Sequence, residues 1–102
     1  MKIVPVEGSA RISAWVRLGV LNWLGYELLK KERFAKALAV FHIVLKENPR
    51  SANAYDSLGD AYQQMGRKNE AIAAFRKALE LDPKANFTKA KLERLETGNS
   101  KQ

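Results

Sequence analysis

The chain has 102 residues, 46% of them hydrophobic, with 18 Lys and Arg against 11 Asp and Glu, a net charge of +7 and no cysteine. That length supports one domain with a modest core, and the missing cysteines exclude a disulfide framework and any thiolate nucleophile or ligand. No run approaches the roughly 18 apolar residues of a membrane-spanning helix, and Met1–Ala10 is too short and too broken by Pro5, Glu7 and Gly8 for a signal peptide's apolar region, so a soluble, cytoplasmic chain is expected.

Residues 1–9 read as an arm: Lys2–Val6 is compatible with a strand, but Pro5 bars it from a central one, and Ser9 can cap a helix. From Ala10 no breaker intervenes until Lys31–Arg33, which predicts a helix of about 20 residues whose first part, 10–17, extends beyond a simple hairpin. Leu21, Leu24, Gly25 and Leu28 share one side; Ile12, Trp15, Val16, Gly19, Trp23 and Tyr26 gather on the other. A helix apolar nearly all round is expected to be buried nearly all round. Glu32 lies in the turn that follows, at the place that Gly66 takes in the second hairpin, so this turn needs either a less comfortable residue or a different geometry. The next helix, from Phe34 to about Glu47, presents Phe34, Ala37, Leu38, Phe41, Val44 and Leu45, and Asn48-Pro49-Arg50-Ser51 ends it, with Ser51 placed to cap a helix opened by Ala52.

That third helix carries Ala54, Tyr55, Leu58, Ala61, Tyr62 and Met65 at three- and four-residue steps, and Gly66 closes it. A fourth repeats the spacing with Ala71, Ile72, Phe75, Ala78 and Leu79 before Asp82-Pro83. Gly59 in a helix interior costs about 1 kcal/mol relative to alanine, which predicts a close helix contact there. A last helix, 86–96, is apolar at Phe87, Ala90, Leu92 and Leu95 and charged elsewhere, as a cap should be, and 97–102 reads as a frayed tail.

Sliding the chain by 34 residues superposes Leu24 on Leu58, Gly25 on Gly59, Arg33 on Arg67, Ala37 on Ala71, Ala39 on Ala73, Phe41 on Phe75, Leu45 on Leu79 and Pro49 on Pro83. Self-similarity at such a period marks a solenoid. Tyr55-x2-Leu58-Gly59-x2-Tyr62, Ala71-x3-Phe75 and Pro83 resemble a tetratricopeptide repeat over 52–85, and Leu21-x2-Leu24-Gly25-x2-Leu28, Ala37-x3-Phe41 and Pro49 resemble a degenerate one over 18–51. The resemblance implies an all-α superhelix of two hairpins and a capping helix, acting as a non-enzymatic scaffold that binds a protein or peptide. The same stretch is similar to repeat segments at the C-terminal ends of some bacterial hydrolases, which implies the alternative of an accessory or docking domain.

Catalytic chemistry has little to work with. His42, the one histidine, has no acidic residue at helical spacing, and Asp56 and Asp60 lack a third ligand or a partner base, so neither metal, cofactor nor small-molecule substrate is implied. The basic residues are scattered over helix faces without aromatic interleaving, which argues against nucleic acid; RNA or an acidic surface stays as an alternative with a steep salt dependence. The candidate binding residues are Asn53, Asp56 and Asp60 on the third helix, Gly19, Asn22, Trp23 and Tyr26 on the first together with Trp15, and Phe87 and Lys91 on the cap. In the family's groove that clamps a peptide's terminal carboxylate, five polar or basic residues converge; Asn22, Tyr26, Ser57, Phe87 and Lys91 stand at those places, and only Lys91 is basic, so the aspartates favour a ligand with basic or amide groups instead. Three readings of the Trp15, Trp23 and Tyr26 side remain open: cover by the arm or by a break near Gly19, self-association, or docking of another protein.

Overall fold

A computed structural model describes residues 6–98, with side chains from Val16 onward. Five helices follow one another: α1 (Val6–Lys30), α2 (Phe34–Glu47), α3 (Ala52–Gln64), α4 (Lys68–Leu81) and α5 (Asn86–Glu96). α1 packs along α2 and α3 along α4 as two hairpins, α2 meets α3 between them, and α5 lies on α4. Among the described residues there is no strand.

Each hairpin closes on a glycine beneath a phenylalanine. A Cβ on Gly25 would stand 2.3 Å from Phe41 Cε1, and one on Gly59 2.4 Å from Phe75 Cε1. Both rings are fully buried, so the helices approach to a distance that any larger side chain would prevent. Phe41 joins Leu29, Ala37, Leu58, Ala61 and Ala74 in a core that spans both hairpins, while Phe75 joins Ala71, Leu92 and Leu95 in a second that seats α5. Tyr62 packs against both.

The turns are built alike from different residues. Arg67 N donates to Tyr62 O at 2.9 Å and Gly66 takes φ 77°; Arg33 N donates to Leu28 O at 2.9 Å and Glu32 takes φ 58°. Glu32 thus accepts the left-handed conformation that its Cβ disfavours. Ser51 caps α3, its Oγ accepting from Ala54 N at 3.0 Å.

Three expectations need correction. α1 begins at Val6, so Ser9 lies within it rather than capping it, and of the arm only residues 1–5 lie outside the described residues. Nothing from Val6 onward forces a stop, Gly8 being only a modest penalty. α1 also runs unbroken through Gly19, so it does not fold back on itself. Nor is it buried all round: Val16, Val20 and Trp23 are exposed because no described element covers them. Leu29, absent from the expected packing face, is 1% exposed.

Candidate functional site

Along one side of the helix stack, α1, α3 and α5 are laced by polar side chains that the 34-residue register places on one face of each helix. Lys91 Nζ lies 2.9 Å from Asp56 Oδ2 and 2.9 Å from Asp60 Oδ1, bridging two carboxylates one turn apart on α3. Thr88 Oγ1 donates to Asp56 at 2.6 Å, Tyr26 Oη donates to Asp60 at 2.5 Å, and Ser57 Oγ donates to Asn22 Oδ1 at 2.9 Å. The Tyr26 ring also meets Phe41 edge-on at 5.4 Å, and Lys91 stands 5.5 Å from the Phe75 centroid.

The electrostatics follow from these contacts. Burial pushes the Tyr26 hydroxyl well above its ordinary range, and the hydrogen bond to Asp60 adds to the rise. For Lys91, burial pulls the ammonium down, but the hydrogen bonds and charges of Asp60 and Asp56 outweigh it, so its pKa is raised. Every polar group of this cluster is engaged by the chain itself, and no buried side-chain nitrogen or oxygen among the described residues lacks a partner.

The expectation that Asp56 and Asp60 await a basic ligand is therefore met from within: Lys91 supplies the cation and Tyr26 and Thr88 the donors. A sequence reading separates Lys91 from the aspartates by 31 and 35 residues, and a close multiple of the repeat period was the available signal. Tyr26 and Asn22 are likewise held in contacts between repeats. Trp23 and Gly19, by contrast, face outward, and Trp15 lies outside the residues whose side chains are described.

Among the described residues, large apolar side chains stay exposed on α1, on α5 and, at Ile43, on α2. Val16, Val20 and Trp23, 57%, 51% and 59% exposed, form a strip along α1 at helical spacing. Phe87 is 86% exposed at the rim of a notch of about 220 Å³ that Asn53, Asp56, Asp82, Asn86 and Thr88 also line, between the starts of α3 and α5. His42 is exposed on α2. Among the described residues no group of His, Asp or Glu could hold a metal ion, and no helix is long and apolar enough to cross a membrane.

A tetratricopeptide repeat profile matches residues 52–85. The chain is 39% identical over 66 residues to superkiller protein 3 of Schizosaccharomyces pombe, a match that takes in 61% of this chain and 5% of that protein. It is 32% identical over 59 residues to Hsp70-Hsp90 organizing protein 1 of Glycine max, covering 58% of this chain and 10% of the relative. The chain thus spans about a twentieth of the first relative's length. In three dimensions it superposes on a MamA RS-1 double mutant with a TM-score of 0.72 at 28% identity, over 82% of this chain and 47% of the other.

Proposed function

Because the chain belongs to the tetratricopeptide-repeat family, we propose that it is a non-enzymatic protein-interaction scaffold that holds a protein partner by apolar contact, through the Val16, Val20 and Trp23 strip of α1 and the Phe87 notch. The observation that carries this reading is the division of the surface: the charges of the α3 and α5 cluster pair with one another, and Val16, Val20, Trp23 and Phe87 stay exposed. A partner reading charge would have to break the Lys91 bridges, whereas Trp23 and Phe87 are free to desolvate on contact, the behaviour of interface anchors. The name of the soybean relative describes a protein that organises two others, in keeping with a scaffold.

The test is capture from extract of the source cells by immobilised wild-type chain and by Trp23→Glu and Phe87→Ser variants of matched thermal stability. A specific protein retained by wild type through a wash at about 0.5 M salt, where exposed charge pairs are screened, and lost from the variants is expected. Retention by both variants, or release by salt in favour of nucleic acid, would overturn the reading.

A further inference from the structure

The repeat register shows what the α1 strip is. In α3, Ala54 and Ser57 are 1% and 0% exposed, packed against the preceding hairpin, and the same places in α5 are held by buried Thr88 and by Lys91. Thirty-four residues before Ala54 and Ser57 stand Val20 and Trp23. The strip is therefore the register equivalent of the faces by which α3 and α5 pack on the hairpin before them, and it carries larger apolar side chains than either. The inter-hairpin contact closes over alanine and serine between α3 and the first hairpin, and over threonine and a lysine bonded to both aspartates at α5, whereas an indole carries no charge with which to make such a bridge.

Gly19 supplies the complementary fact. Gly25 and Gly59 lie under phenylalanine rings; among the described residues a Cβ on Gly19 would meet nothing within 4 Å. Nothing among the described residues explains a glycine there, where alanine would favour the helix. It lies one turn from Trp23, between Val16 and Val20 and on the same exposed side. One helix face thus carries both a notch and a knob that fits a notch.

We propose that two copies of this chain pair through α1, antiparallel about a two-fold axis, with Trp23 of each copy seated over Gly19 of the other. The pairing rests on the proposed role of the α1 strip and names its occupant. Self-complementarity favours a second copy over an unrelated partner, because a two-fold contact uses the same patch twice and closes on itself. α1 has 25 residues against 14 in α2, and its length of about 37 Å suits the roughly 800 Å² per copy that stable pairs bury. Head-to-tail stacking is barred at the opposite end: where α3 offers Tyr55, Gly59 and Tyr62 to α4, α5 has exposed Lys89, Glu93 and Glu96.

Light scattering on the purified chain across a tenfold concentration range is the test. A mass of twice the chain's 11.5 kDa is expected, and Gly19→Leu and Trp23→Ser should each weaken self-association by at least about tenfold while circular dichroism stays helical. A glycine merely exposed to water predicts the reverse for Gly19→Leu, a higher Tm and an unchanged mass. A wild-type monomer throughout overturns the pairing, as does a dimer whose dissociation constant neither variant changes. Should a variant not fold, Val20→Cys in this cysteine-free chain gives a second readout: disulfide-linked dimers on mild oxidation support the pairing, and their absence overturns it. Neither result touches capture of a different protein, so this proposal and the scaffold reading fail separately.

Discussion

The two hairpins of this chain repeat each other where helices touch and part where they face outward. Gly25 beneath Phe41 and Gly59 beneath Phe75 are the same contact made twice, to within 0.1 Å for the nearest ring atom (2.3 against 2.4 Å). The turns keep their hydrogen bonds but trade Gly66 for a strained Glu32. Around the polar cluster the copies diverge: Asn22, Trp23 and Tyr26 in α1 stand against Asp56, Ser57 and Asp60 in α3. Packing tolerates little change in volume, whereas a surface position answers to its next neighbour. The second hairpin has α5 and Lys91 for a neighbour, and the first leaves Trp23 in water.

The closest contact offers the largest way to break that likeness. Gly25→Val and Gly59→Val should each cost about 3 kcal/mol, since the added carbons must displace a buried ring, and urea unfolding followed by circular dichroism will show whether the two hairpins lose equally. Removing the neighbour comes next. Lys91→Met strands two carboxylates one turn apart and should cost about 2 kcal/mol, whereas Lys89→Met, on an exposed position of the same helix, should cost less than about 0.5 kcal/mol.

The turns test the comparison by sign. Glu32→Gly should stabilise the chain by about 1 kcal/mol because it relieves the positive φ, and Gly66→Glu should destabilise it by about as much; equal signs would show that the turns are not equivalent. The smallest effect is on pH. Tyr26 and Lys91 both have raised pKa values in the fold, so the stability they contribute is complete below their unfolded values, about pH 10 and 10.4, and is lost as pH rises through the folded ones. Urea midpoints should be flat from about pH 7 to 9 on this account and fall above that range, more steeply in wild type than in a Tyr26→Phe, Lys91→Met double variant.

Much of the architecture was legible in the residues. The 34-residue repeat, the glycine and phenylalanine pairs, the Ser51 cap and the positive-φ demand at Glu32 each depend on neighbours a few residues away or on a whole period, and both are visible in a string of letters. The start of α1 was misplaced because Ser9 can cap a helix or ride inside one, and only what precedes it decides. The residues expected to meet a ligand were legible as a group, but their contacts with one another were not. Asp56, Asp60, Tyr26, Asn22 and Lys91 were read as surface waiting for a ligand, yet they serve one another.

Sequence alone therefore determined the period, the helices and the points where helices touch, because local propensity and small residues at fixed spacing act over short distances along the chain. Tertiary structure decided which polar groups are satisfied and which apolar ones are not. That outcome depends on whether a side chain 31 to 35 residues away reaches within about 3 Å, a matter of helix rotation and stagger that no spacing rule contains. Lys91 reaches the aspartates of α3, no described element covers Trp23, and the difference leaves an exposed apolar strip on α1 besides Phe87 on α5.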